Sequence, residues 1–455
     1  MSRLVIVSNR VSKPRETRAG GLASALNSAL AEHGGLWFGW SGRVIAEDPG
    51  EISVERIGQI DYALTDLNER EYSAYYQGFS NRTLWPLLHM RPDLLDFRRE
   101  NLHGYRAVNR RFAELLATQL RSDDTIWVHD YHLIPLGSEL RRLGIKSRIG
   151  FFLHVPFPSP DVLTMLPEHR SLFESLGAYD LVGTQTESDQ QAVADYCERE
   201  LGASHDGSGN LSLPDGGRFV CKAFPISIDP ELISRNAALA MHSKAHRDLV
   251  ASLSGRALAI SVDRLDYSKG LPERFEAFAR FLETYPQHRS RISMMQIAPV
   301  TRGDVPEYQE LRARLEQLAG AINGRYADPD WVPIRYINRS FHQANLAGFY
   351  RSARIGLVTP MRDGMNLVAK EYVAAQSAED PGVLVLSRFA GAARELPEAL
   401  LVNPHDADDT SNAIHTALAM PLDERRQRWQ AMSNTLRGHT IGNWRRSFLE
   451  VLAAS

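Results

Sequence analysis

Two short cationic and acidic stretches carry the residue types that chemistry on a phosphorylated ligand would need. The turn VDRLDYSKG (262–270) places Arg264 and Lys269 directly behind the apolar run ALAISV (257–262). Two cations flanking a turn can clamp a diphosphate, Arg as a planar fork and Lys as a point charge. Two solvated surface charges would read the same way. The stretch MRDGMNLVAKEYVAA (361–375) follows a second apolar run, IGLVTP (355–360). Asp363, Gly364 and Asn366 interrupt it, and a helix begins that carries Leu367, Val368, Ala369, Lys370 and Glu371 in its first turns. Asn366 suits a helix cap, and an uncovered helix N-terminus favours anions. A capped surface helix explains the same residues without a ligand, and Lys370 has no better reading than a helix-surface charge. At 3.6 residues per turn, Asp363 and Glu371 could reach different ends of one bound molecule.

The other apolar runs end in the same manner. LVIVSN (4–9) leads into Arg10, a basic loop (Lys13, Arg15, Arg18) and Gly20-Gly21 at a helix start. Paired glycines let a phosphate approach the backbone, or simply make a flexible turn. The pair departs from G-x-G-x-x-G, so a standard dinucleotide fingerprint is absent. TIWVH (125–129) runs into Asp130-Tyr131-His132, and RIGFFLH (148–154) ends at His154 before the proline-rich VPFPSP. HDYH lacks the helical H-E-x-x-H context of a zinc site. ISMMQIA (292–298) leads to Arg302, and PIRYI (333–337) leads to Phe341. LWFGWSG (36–42), AYYQGFSN (74–81) and LWPLLH (84–89) gather Trp37, Trp40, Tyr75, Tyr76 and Trp85, which suit either sugar stacking or a core. Asp328-Pro329-Asp330 reads as a solvated turn, and no catalytic metal is predicted.

The elements that position these residues follow from the pattern. Continuous apolar runs separated by helical stretches (20–32, 104–120, 186–201, 271–286, 305–320, 342–352, 408–420) predict an α/β protein with doubly wound parallel sheets. At 455 residues the chain is too long for one ordinary core. Two Rossmann-like domains are expected, 1–228 and 229–439, with a helix at 440–455 returning to complete the first. Segment 202–218 reads as a surface loop or hairpin, and 227–248 as a polar connection. Ligands in such sheets bind at the carboxyl ends of the strands, which is where the polar residues collect. A formal net charge of −3 argues against a general nucleic-acid binder. Two cysteines, Cys197 and Cys221, exclude a disulfide framework and a thiol-based zinc site. The N-terminus is not a signal peptide and no run spans a bilayer, so the expected home is the cytoplasm, away from membranes.

The long motifs, taken in order, resemble the trehalose-6-phosphate synthase family. They are SNR…AGGL (8–22), GLWFGWSG (35–42), FSNRTLWPLLH (79–89), WVHDYHL (127–133), GFFLHVPFP (150–158), DRLDYSKGL (263–271), QIAPVTRGDVPEY (296–308) and TPMRDGMNLVAKEYVAAQ (359–376). The resemblance implies a GT-B fold of two domains facing a cleft. It also implies transfer of glucose from UDP-glucose to glucose 6-phosphate with retained configuration, without metal or cofactor. Arg10, Tyr76, Trp85, Asp130 and Arg302 match glucose-6-phosphate contacts. Gly20 and Gly21 lie near the donor, Arg264 and Lys269 match diphosphate contacts, and Phe341 lies beside the base. The segment from Asp363 through Gly364, Met365, Asn366, Leu367, Val368, Ala369 and Lys370 to Glu371 matches the family's segment for the donor sugar, phosphates and ribose. His154 matches the residue near the donor's 6-hydroxyl. The implied catalytic set is His154, Asp130, Arg264, Lys269 and Asp363. Ser227 stands where relatives carry Gly. The ending at 455 implies a separate downstream phosphatase, and a homo-oligomer is open. A transferase with another phosphorylated acceptor, a silent sugar-phosphate sensor and the identity of the donor base also stay open at this point.

Overall fold

The computed structural model describes residues 3–13, 26–27, 30, 34–301, 303 and 305–455. Gly20, Gly21 and Arg302, together with most of the expected helix 20–32, lie outside the described residues. The chain divides into two compact units, Met1–Pro225 with Gly442–Ser455, and Ile226–Ile441.

The first unit is built on a ten-stranded sheet among the described residues. Its centre runs, in spatial order, Ile60–Asn68, Gly35–Ile45, Leu4–Arg10, Thr125–His129, Arg148–Phe152 and Leu181–Thr184, all parallel. Numbered along the chain, these six follow the order 3-2-1-4-5-6 of a doubly wound nucleotide-binding sheet. Ser53–Ile57 adds an antiparallel edge on one side, and Arg218–Ala223, Asn210–Ser212 and Ser204–His205 extend the other. Val5, Ile6, Val7, Ile126, Trp127 and Val128 are fully buried, as expected of parallel strands covered on both faces. The C-terminal helix Ile441–Ala454 packs on this sheet. Phe448 stacks on Trp127 at 4.6 Å, and glycine at 150 and 183 leaves room for its ring.

The second unit has a six-stranded, wholly parallel sheet in the spatial order Ile334–Ile337, Ile292–Ile297, Ala257–Val262, Ile355–Val358, Val383–Ser387 and Leu400–Val402. This is again 3-2-1-4-5-6. The helix Leu271–Thr284 buries Phe275, Phe278, Phe281 and Leu282 in its core.

The strands Gly35–Ile45 and Ile60–Asn68 have no counterpart among the strands expected from sequence. Aromatic and β-branched residues fit a half-buried pleat as well as a ligand wall, so composition alone did not separate the two. The next aromatic stretch (74–81) lies in a wide helix, Tyr72–Leu84, whose turns close i→i+5, as Trp85 N–H donating to the Ser80 carbonyl shows. The polar connection 227–248 forms the greater part of two helices, Pro230–Ala240 and Lys244–Leu253. They are capped by the side chains of Asp229 and Ser243.

Candidate functional site

In each sheet the strand order reverses beside the first strand, and ligands bind at the carboxyl ends there. In the second unit the reversal falls between Ala257–Val262 and Ile355–Val358. The residues after both strands are tied together. Met361 N–H donates to the Ser268 carbonyl at 2.9 Å, and a Cβ at Gly270 (φ +63°) would meet the Thr359 carbonyl at 2.5 Å. Lys269 Nζ donates to Asp363 Oδ2 at 2.6 Å, and Asn366 Nδ2 donates to the same oxygen at 3.0 Å. Asn366 takes a left-handed conformation (φ 76°), and its Oδ1 accepts from Ala369 N–H, capping the helix Leu367–Ala375. Gly364 and Met365 form the turn before it. A Cβ at Gly391 would overlap the Gly364 carbonyl at 1.9 Å, which is why that backbone can press so close.

Arg274 holds this arrangement from behind. It is wholly buried and donates to Thr359 Oγ1 at 2.9 Å, Asp263 Oδ2 at 2.7 Å, Gln296 Oε1 at 2.9 Å and the Lys269 carbonyl at 2.9 Å. Three adjacent strand ends and the Lys269 turn therefore share one guanidinium. Burial pushes the Asp263 carboxyl up despite the Arg274 charge. Arg264 is exposed at the mouth of the same turn. Phe341 lies under the Arg339 guanidinium at 4.9 Å and edge-on to Phe349 at 5.4 Å. Glu371 is partly buried, and burial raises its carboxyl to about 7 while Gln343 Nε2, donating at 3.5 Å, opposes the shift. This set can neutralise a diphosphate, offer it backbone N–H groups at a helix start, and accept from hydroxyls with two carboxylates.

In the first unit the reversal falls between Leu4–Arg10 and Thr125–His129. Arg10 emerges from its strand exposed, with its guanidinium 5.8 Å from the Trp40 ring centre. A line of rings continues through Trp40–Tyr76 at 5.4 Å, Tyr76–His132 stacked at 6.0 Å, His132–Tyr131 at 4.0 Å and Tyr131–Trp85 at 5.6 Å. Tyr75 and Trp37 are core residues instead, their polar atoms donating to Asn9 Oδ1 and Ser8 Oγ. Asp130 sits at φ 78°, and its Oδ1 accepts from the His154 N–H at 3.1 Å. Burial alone lowers the His154 imidazole to about 3, so the ring is neutral at pH 7.

The sequence matches the family model of glycosyltransferase family 20 over residues 3–454. The chain belongs to glycosyltransferase family 20. It is 50% identical over 460 residues to the trehalose-6-phosphate synthase of Sinorhizobium fredii, covering 100% of this chain and 99% of that one. It is 49% identical, with a TM-score of 0.97, to a Burkholderia xenovorans alpha,alpha-trehalose-phosphate synthase (UDP-forming) in complex with glucose-6-phosphate, covering 99% and 100% of the two chains. An E. coli trehalose-6-phosphate structure bound with UDP-2-fluoro glucose matches at 46% identity and a TM-score of 0.95, with 99% of each chain covered.

Within this family 20 chain, one sequence reading needs correction. Lys370 is not a helix-surface charge. It is fully buried, and its Nζ donates to Glu395 Oε2 at 2.5 Å and to the Ile226 carbonyl at 2.7 Å. A charged residue one position from Glu371 need not share its face, and only packing decides which way it points. The two carboxylates of the Asp328–Asp330 turn are engaged by Ser290 and Arg256. Arg274 and Asp263 were not singled out from sequence. Arg274 did carry a signal, since it stands with Leu271, Phe275 and Phe278 on the apolar stripe of its helix.

Proposed function

We propose that the chain transfers glucose from UDP-glucose to glucose 6-phosphate, giving trehalose 6-phosphate and UDP with retained configuration at the anomeric carbon. One observation carries the reading. A cation–carboxylate–helix set at one strand-order reversal and a cation–ring set at the other occur in a chain half identical, end to end, to a named synthase. On this reading the Lys269–Asp363 contact opens onto the donor. Arg264, Lys269 and the backbone N–H groups from Asn366 to Val368 stabilise the negative charge that builds on departing UDP. Gly364, Met365 and Asn366 shape the sugar pocket, Phe341 flanks the base, and Glu371 accepts from the ribose. The family resemblance assigns Arg10 and Arg302 to the acceptor's phosphate, and Gly20 and Gly21 to the donor. Tyr76, Trp85 and Asp130 hold the acceptor sugar.

The bond from the anomeric carbon to the phosphate oxygen breaks, and one from that carbon to the acceptor hydroxyl oxygen forms on the same face. The hydroxyl proton passes to the departing phosphate oxygen. His154, neutral, orients the donor sugar and takes no proton. Since fixed cations do the electrostatic work, the proposal includes no metal and no cofactor. It also includes small-molecule substrates without nucleic acid or membrane, a cytoplasmic home and a separate phosphatase acting next. Among the described residues no helix is long and apolar enough to cross a membrane.

The test incubates the purified protein with glucose 6-phosphate and UDP-, GDP- or ADP-glucose, with and without EDTA, and reads nucleotide release and trehalose 6-phosphate. UDP-glucose should give product in both. No product with any donor would overturn the proposal. Arg264→Ala should lose turnover with every donor, whereas Arg302→Ala should chiefly raise the acceptor requirement.

A further inference from the structure

Behind His154 lies a second histidine with no assigned part in the reaction. His129 ends the strand Thr125–His129, is fully buried, and its Nδ1 lies 3.0 Å from His154 Nε2. The two rings are nearly parallel, with centres 5.3 Å apart and planes at 28°. A hydrogen bond between two imidazole nitrogens holds one proton, so the two rings cannot choose their tautomers independently. Either His154 donates from Nε2, leaving its Nδ1 bare and forcing the proton of His129 onto Nε2, or His129 donates from Nδ1 and His154 carries its proton on Nδ1. Burial holds both rings neutral at pH 7, which removes the doubly protonated alternatives.

The surroundings of the far nitrogen, His129 Nε2, decide between the two. That atom is buried and has no hydrogen-bond partner among the described residues, and the same holds for Trp127 Nε1 and Trp444 Nε1. The three rings form one cluster, with centres 4.6 Å apart for Trp127–His129, 4.8 Å for Trp127–Trp444 and 6.4 Å for His129–Trp444. An indole N–H can only donate. With a proton on His129 Nε2 the cluster would hold three donors and no acceptor. With Nε2 bare it holds one acceptor for two donors, and one water taking the indole protons and donating to Nε2 would complete the set.

We propose that His129 is a positioning residue that fixes the tautomer of His154, both rings carrying their proton on Nδ1, with Trp127 and Trp444 setting the choice from behind. His154 then presents a hydrogen-bond donor at Nδ1. The neighbour there is the Gln185 side-chain amide, whose Nε2 lies 3.4 Å away; the proposed tautomer turns that amide about, so that its Oε1 accepts from the His154 Nδ1–H. A fixed N–H at this point, shared between Gln185 Oε1 and a sugar hydroxyl oxygen, can donate and cannot act as a base. This kinetic consequence rests on the proposed function, while the tautomer itself does not.

The experiment labels the full chain with 15N-histidine and reads the imidazole nitrogens by NMR at pH 7, assigning the pair with His154→Gln and His129→Asn. Wild type should show Nδ1–H on both rings. His129→Asn supplies an amide donor to His154 Nε2 and should keep Nδ1–H, whereas His129→Phe should move His154 largely to Nε2–H. In kinetics, His129→Phe should lower kcat/KM for UDP-glucose about tenfold with the glucose-6-phosphate KM within twofold, and His129→Asn should recover to within threefold of wild type. If His129→Phe does not fold, Trp444→Phe keeps the ring and removes one indole donor, and should raise the Nε2–H fraction on both histidines together. An Nε2–H proton on His154 in wild type, or a His154 tautomer unmoved by His129→Phe or by Trp444→Phe, would overturn the proposal. Because the spectra need no turnover, locked tautomers in a chain that makes no trehalose 6-phosphate would support this inference while overturning the proposed function.

Discussion

Replacing Arg274 by Met tests whether one buried guanidinium holds the candidate donor site together. Met keeps much of the apolar stem and removes four hydrogen bonds, those to Thr359, Asp263, Gln296 and the Lys269 carbonyl. The largest consequence falls on Asp263, whose side chain is 3% exposed and would be left buried without its cation. Removing one partner of a buried ion pair costs about 3–5 kcal/mol. At about 2–4 °C per kcal/mol for a domain of this size, the thermal midpoint of the second unit should fall by about 6–20 °C. The loss has a pH signature. Burial already raises the folded Asp263 carboxyl above its ordinary value. A raised folded pKa means stability is greatest below the unfolded pKa and falls as pH climbs through the folded one. Without Arg274 that shift grows, so the variant should lose more at pH 8 than at pH 5. Arg274→Met/Asp263→Leu removes the stranded charge and should recover at least about 2 kcal/mol. Urea unfolding followed by circular dichroism at the two pH values measures both. In the folded fraction, the freed Lys269 turn should lower kcat/KM for the nucleotide sugar at least about tenfold. A single-variant loss under about 1 kcal/mol, or a double variant no more stable than the single, would refute the reasoning.

Other consequences are nearer the ligands. A Cβ at Gly42 (φ +89°) would stand 2.6 Å from the Arg10 guanidinium, so Gly42→Ala should raise the glucose-6-phosphate KM about tenfold and leave the donor KM within twofold in steady-state kinetics. Lys370→Met should cost about 3–5 kcal/mol by stranding Glu395, and Lys370→Met/Glu395→Gln should recover part of it, measured by unfolding. With Glu371 at about 7, UDP affinity measured by calorimetry should rise with pH through about 7 as the carboxylate forms, and Glu371→Gln should flatten the profile. The same shift, upward from 4.5, makes protonated Glu371 the stabilising form, so its contribution to stability should decline between about pH 4.5 and 7.

The apolar runs and the polar residues behind them were legible because a parallel strand covered on both faces must be continuously apolar, and its side chains become free for chemistry only where it ends. That constraint located Arg10, Asp130, His154, Lys269 and Asp363 from the sequence alone. It did not find the strand Gly35–Ile45, whose aromatics fit a pleat and a sugar wall equally well. Nor did it turn Lys370 inward, because the direction of a helical side chain depends on what packs against the helix. Arg274 and His129 show the same limit. Each bonds to residues far along the chain, Arg274 to Thr359 and His129 to His154. A lone Arg on an apolar stripe, or a His before an Asp, names no partner. Sequence determined which residue types stand at the strand ends. Tertiary structure decided which of them meet, because sheet order, not chain order, sets the neighbours.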